Sequence, residues 1–189
     1  AIYRTLPNVT VIHPSDSVST RVLTKQLASS PSPSYMRTAR NKTPVLYDDV
    51  GEDVIQIGKG IELKNGSDVA IIACGVLVSE ALKAADLLAE EGIHATVVDM
   101  HTIKPLDSKL IDVVSERCGS LVTAEDHSII GGLGGAVAEH LSTTDGTPLE
   151  RVGVNDRFGE SGQAHEMLEL MGLNAAHIVL AAKKSISRK

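Results

Sequence analysis

Apolar side chains along this chain fall into short unbroken runs, separated by stretches in which they recur every three to four residues. Unbroken runs mark strands buried on both faces, and the longer period marks helices with one face turned inward. Val69 to Cys74, Ala95 to Met100 and the run at Leu121, Val122 and Thr123 read as buried strands, with a shorter one from Glu150 to Val154. Between them, Leu77, Ala81, Leu82, Ala84, Ala85 and Leu88 define a helix over 77–91, ended by Gly92. Pro105 and Asp107 open a second helix through Leu110, Ile111, Val113 and Val114, closed by Gly119. Leu133, Val137 and Leu141 line one face of a third, and two more are predicted over 163–171 and 175–184, joined by Gly172-Leu173-Asn174. Ile55 to Leu63 reads as a strand interrupted by Gly58 and Gly60, and Asn65-Gly66 suits a hairpin turn into the strand that follows.

Upstream the rhythm differs. Val9, Val11 and Ile12 form a short strand, and Pro14-Ser15-Asp16-Ser17 supplies turn and capping chemistry ahead of a helix carrying Val18, Val22, Leu23 and Leu27. That helix stops in Ser29-Ser30-Pro31-Ser32-Pro33, and 34–38 should be extended, giving a strand-helix-strand unit, right-handed if its strands are parallel. One such unit cannot bury both of its sides, so it must complete another sheet or lean on the rest of the chain. The opening, Ala1 to Pro7, reads as the end of an element interrupted from upstream, and the expectation is a fragment. Residues 41–52 are polar and turn-rich and read as a linker. The predicted architecture is a three-layer α/β/α sandwich with a mostly parallel five-stranded sheet and one antiparallel edge strand, preceded by a partial βαβ unit. The predicted division is 1–50 and 51–189.

Composition narrows the function classes. With 42% apolar and only 2% aromatic residues the core must be aliphatic. A formal charge of −6, with the only basic cluster at Lys183, Lys184, Arg188 and Lys189, argues against a nucleic-acid surface. No window approaches a membrane span, and the N-terminus lacks a signal-peptide layout, so a cytoplasmic protein is expected, or an organellar one after processing. Cys74 and Cys118 have no second Cys or His at metal spacing and read as free thiols in a reducing compartment.

Candidate chemistry concentrates in 120–141, where a strand end carries Glu125-Asp126-His127 and the glycines Gly131, Gly132, Gly134 and Gly135 precede a helix. This is the sheet edge at which open α/β folds place ligands and interfaces. The dinucleotide fingerprint fails, because its third glycine would fall at Val137, and no phosphate-loop lysine follows. Tight packing of the turn on the helix is favoured over a phosphate cradle. Two carboxylates beside an imidazole could serve acid-base chemistry, but three sequence neighbours do not converge as a triad would, and a brace or interface role is favoured. His101, His165 and His177 each lack a sequence partner. Arg37 and Arg40, just past a strand end, could together hold a phosphate or carboxylate, or could be a solvated surface pair.

Leu6-Pro7-Asn8-Val9-Thr10-Val11-Ile12-His13-Pro14-Ser15-Asp16, then Tyr35-Met36-Arg37-Thr38-Ala39-Arg40, Thr102-Ile103-Lys104-Pro105-Leu106-Asp107, and Glu125-Asp126-His127 with Gly131-Gly132-Leu133-Gly134 together resemble transketolases. The likeness covers essentially the whole chain. Residues 1 to about 50 resemble the end of the family's pyrimidine-binding domain, and 55–189 its C-terminal domain. Deoxyxylulose phosphate synthases and the β subunits of 2-oxo acid dehydrogenases share parts of the pattern, and Arg-Thr-Ala-Arg favours transketolase itself. The resemblance implies an enzyme that uses thiamine diphosphate and Mg²⁺ to move a two-carbon ketol unit between sugar phosphates, working as a homodimer. It places Arg40 at the position that grips the sugar-phosphate tail, with Arg37 as a second substrate-binding candidate. It also implies that the catalytic, cofactor and metal residues lie in a missing N-terminal part, so that this chain alone is inactive and binds neither cofactor nor metal. The other reading is a stand-alone α/β anion-binding, regulatory or dimerisation module built on the Glu125–Gly135 loop.

Overall fold

The computed structural model describes residues 1–47, 53–144 and 146–189. The boundary expected at 50/51, and part of the linker expected over 41–52, lie outside the described residues.

The centre of the fold is a five-stranded sheet of β3 (Ile61–Lys64), β4 (Val69–Ala73), β5 (Ala95–Asp99), β7 (Leu121–Ser128) and β8 (Leu149–Val154), in the order β3-β5-β4-β7-β8. All neighbours are parallel except β3, which runs antiparallel to β5 at the edge. In β4 alternate residues serve opposite layers. Val69, Ile71 and Ala73 pack with α3 (Leu77–Glu90) and α7 (Ala175–Ile186), while Ala70, Ile72 and Cys74 pack with α4 (Ser108–Cys118) and α5 (Leu133–Leu141). An unbroken apolar strand is thus what a sheet covered on both faces requires. The predicted α/β/α sandwich and its antiparallel edge strand are both present. A sixth helix, α6 (Ala164–Leu170), precedes α7.

The N-terminal unit follows a short helix α1 (Ile2–Thr5) and consists of β1 (Thr10–Ile12), α2 (Ser17–Ala28) and β2 (Ser34–Met36), with β1 and β2 parallel. Asp16 caps α2, accepting from the Ser19 amide at 2.7 Å, while Ser19 Oγ accepts from the Asp16 amide. The unit does lean on the rest of the chain. A strand the hydrophobic pattern did not predict, β6 (Thr102–Lys104), pairs antiparallel with β1 and completes a three-stranded sheet, β2-β1-β6. Beneath it Ile12, Val22, Leu23, Tyr47 and Ile55 form a third apolar cluster.

Two expectations are corrected. The strand expected over 55–63 exists only from Ile61; Ile55 is fully buried, but its neighbours turn through Gly58, whose φ is +82°. The hairpin expected at Asn65-Gly66 does not form, since β3 pairs with β5 and not with β4. A two-residue hairpin of Asn-Gly type needs positive φ at both residues, and neither is among those with positive φ. Instead Gly66 lies flat on the start of β5, where an added Cβ would collide with the His94 carbonyl. Its amide donates to Thr96 Oγ1 at 2.9 Å.

Candidate functional site

The carboxyl ends of β1, β2, β4 and β7 converge, and this is where the titratable residues gather. At the end of β7, Glu125 is almost fully buried and accepts hydrogen bonds from the amides of Leu133 and Gly134, each at 2.8 Å. These are among the free donors of the first turn of α5, so the helix N-terminus holds the chain's own carboxylate. Gly132 is the residue that permits this, because a Cβ there would collide with the Glu125 carboxylate. The glycine-rich loop is therefore packed around an internal anion, as its failed fingerprint suggested.

Asp126 is held from the opposite side. Arg37, one residue past β2, donates from Nη1 to the Asp126 carbonyl at 2.6 Å and from Nη2 to Oδ2 at 2.8 Å. Burial raises the Asp126 carboxyl above the ordinary range, and the Arg37 charge opposes that rise. His13, just past β1, is buried with Nδ1 3.7 Å from Cys74 Sγ and Nε2 3.6 Å from Asp126 Oδ1. Burial first, then the Arg37 and His127 charges, push its pKa down to about 3, so the imidazole is neutral at pH 7. Gly75, with φ +58°, makes room for the ring, since a Cβ there would collide with it. Cys74 itself is fully buried and its thiol is pushed up, chiefly by desolvation, which keeps it protonated and unreactive. His127 Nδ1 lies 2.7 Å from the Ser128 carbonyl oxygen and 3.8 Å from Glu125. A chain of Cys, His and Asp thus runs through this region, yet each member is turned to holding its neighbours.

A second buried polar group escaped sequence reasoning. The hydroxyls of Ser15 and Tyr47 donate to Asp99 Oδ2 at 2.5 and 2.7 Å, at the end of β5. The same segment donates the Leu46 and Tyr47 amides to Asp16 Oδ2 at 2.8 and 3.2 Å. Burial lifts Asp99 to about 6, against the pull of the two hydroxyls. The available signal was an aspartate closing an apolar strand, but its partners lie 84 and 52 residues away in sequence. Of the isolated histidines, His101 is buried beside Thr102 Oγ1 at 2.9 Å and desolvation brings it down to about 4; His177 lies against its helix cap Asn174, at 2.8 Å.

Arg40 stands apart. It is exposed, makes no hydrogen bond or ion pair among the described residues, and lines a cleft of about 860 Å³. The cleft is lined by the segment 37–44 and by residues of α3, α6 and the loop before α6, among them Lys83, Arg157 and His165. The two arginines that stood together in sequence therefore part company, Arg37 committed to Asp126 and Arg40 free.

The family resemblance implies a cofactor and a metal. Among the described residues no group of three or more His, Cys, Asp or Glu side chains could hold a metal ion. The amides of the glycine-rich helix start, the natural diphosphate cradle, are taken by Glu125.

Residues 58–178 match the family described as transketolase, C-terminal domain. The chain is 42% identical over its full length to the 6-deoxy-6-sulfo-D-fructose transketolase subunit of a Clostridium species, strain MSTE9, covering 58% of that protein. It is 36% identical to an apulose-4-phosphate transketolase subunit of Phocaeicola vulgatus, with 100% of this chain and 60% of that protein covered. The solved structure of a split-gene transketolase, an inactive β4 tetramer, superposes with a TM-score of 0.93 at 43% identity, covering 98% of this chain and 60% of that one. The chain thus spans little more than half the length of these relatives. The chain belongs to the transketolase family, through that family's C-terminal domain.

Proposed function

We propose that this chain supplies the C-terminal part of a transketolase that transfers a two-carbon ketol unit from a ketose phosphate to an aldose phosphate. Thiamine diphosphate and Mg²⁺ are held by the part of the enzyme that precedes it, and this chain alone is inactive. The bound cofactor supplies the carbanion that carries the ketol unit. What these residues add is a grip on the phosphate: Arg40 lines a cleft with its guanidinium unpaired among the described residues, and a planar fork of donors matches a phosphate tail. The observation that carries the reading is this freedom of Arg40 beside an Arg37 whose donors are already engaged. Arg37 then acts by fixing the strand end from which Arg40 projects, and not as a second phosphate ligand.

The remainder of the assembly is inferred in the same way. The two relatives are named as subunits, which supports an N-terminal partner polypeptide. A tetramer of β chains in a close structural relative supports self-association, with a homodimer as the working unit. Exposed Ile130 and Phe158, 58% and 97% accessible, are surfaces for such contacts. Two free, buried cysteines fit a reducing compartment and hence the cytoplasm.

The test is reconstitution. Mixed with its thiamine-diphosphate-binding partner, cofactor and Mg²⁺, the chain should restore ketol transfer, and Arg40→Ala should abolish most of it. Tight anion binding at the Glu125–Gly135 loop by the chain alone, with no activity on reconstitution, would favour the module reading instead.

A further inference from the structure

The cleft beside Arg40 is wider and more apolar than a phosphate grip needs. Five cationic side chains line it against three carboxylates, in a chain whose formal charge is −6. Each carboxylate already has a cation: Asp126 has Arg37, Glu80 has Lys83 and Glu160 has Arg157. Arg40 and Lys42 are left without a carboxylate among the described residues, both on the exposed segment 37–44. The cleft is also lined by the half-buried Val76, Leu168 and Met171, which continue the apolar layer of α3 and α7, and by Met167, half-buried beside Gly162. A sugar phosphate would satisfy the cations and leave this floor wet. A ligand that joins a phosphate to a flat apolar body would cover both, and pockets of about 300–1,000 Å³ with an apolar lining and a few fixed polar groups are what such ligands take.

We propose that this cleft binds a nucleoside monophosphate, its phosphate on Arg40 and Lys42 and its base against Met167, Leu168 and Met171. The inference rests on Arg40 as the phosphate grip. It adds a consequence: one guanidinium cannot hold two phosphates, so a nucleotide here competes with the sugar-phosphate tail, and the C-terminal domain senses a second metabolite class through a residue of the substrate site.

Calorimetric titration of the chain at low salt with adenosine monophosphate, and separately with ribose 5-phosphate, tests this. The nucleotide should bind about 10-fold tighter, as burial of a base on an apolar floor would give. Met167→Gln should erase that difference and leave ribose 5-phosphate binding unchanged, while Arg40→Ala should weaken both. Lys42→Ala, at an exposed position, gives a second variant free of folding effects and should also weaken both. Equal affinities for the two ligands, both lost in Arg40→Ala, would overturn the nucleotide site and leave the phosphate grip standing. Nucleotide binding that ignores Arg40→Ala and Lys42→Ala would overturn the placement of the phosphate, and absence of binding by either ligand would overturn both readings.

Discussion

The end of β7 and the tail that follows β2 lie side by side, joined by the Arg37–Asp126 pair, and they use charge in opposite ways. At the end of β7 a carboxylate, a carboxylate and an imidazole follow one another, and each is absorbed: Glu125 by α5, Asp126 by Arg37, His127 by the Ser128 carbonyl. In the tail, plain polar sequence leaves Arg40 exposed on a cleft with no carboxylate paired to it among the described residues. Density of chemically able residues therefore marked the scaffold, and the free charge is what the proposed phosphate grip rests on. Burial is the cause. A charge held away from water must be paired, whereas a charge kept at the surface can wait, solvated, for a ligand.

Four substitutions or conditions would break this contrast if it is wrong. The largest effect should come from Glu125→Ala, which leaves two buried amides without an acceptor; chemical denaturation should show a loss of about 3 kcal/mol. Next, Arg37→Ala removes the partner of a largely buried carboxylate and should cost about 2 kcal/mol, with reconstituted activity falling further than the folded fraction does, because the strand end that carries Arg40 is no longer fixed. Smaller and graded is the response to acid. His13 and His101 titrate near 3 and 4 in the fold against an ordinary 6.5, so the unfolded chain binds more protons between those values. Their contribution is complete above pH 6.5 and is lost as the pH falls toward 3. Asp99, lifted to about 6 from 3.8, works the other way and regains stability over pH 6 to 4. Denaturation at pH 7 and pH 5 should show a net loss at pH 5, steeper in Asp99→Asn and shallower in His101→Gln. Arg40→Ala should be the mildest of all for the fold, within about 0.5 kcal/mol of the parent by the same measurement.

Most of the fold was legible because each layer wrote its own period. β4 and β5 read as apolar runs, and α2 and α4 announced their starts through Asp16 and Asp107 and, for α4, its end through Gly119 with φ +63°. What stayed hidden were pairings set by distant partners. The three residues of β6 have no pattern of their own and become a strand only because β1 needs a neighbour. Ile55 and Ile57 alternate like a strand yet lie in a turn, Ile55 buried and Ile57 half-buried against the same cluster, since burial and alternation are distinct signals. The site divided likewise. Arg37 and Arg40 were visible as a pair, but the Arg37–Asp126 contact spans 89 residues, and only the fold reveals which arginine is occupied. The Asp99, Ser15 and Tyr47 group showed only an aspartate at the end of an apolar strand, with both hydroxyl partners far away in sequence.

Under the proposed function Arg40, and not the Glu-Asp-His strand end, faces the substrate phosphate. In the reconstituted enzyme, KM should be compared for a phosphorylated ketose and for its unphosphorylated counterpart, in the parent and in Arg40→Ala. In Arg40→Ala, KM for the phosphorylated sugar should rise about 10- to 100-fold, the worth of a charge-assisted phosphate contact, while the unphosphorylated sugar is handled as before. An equal change for both sugars, or no change for either, would contradict it.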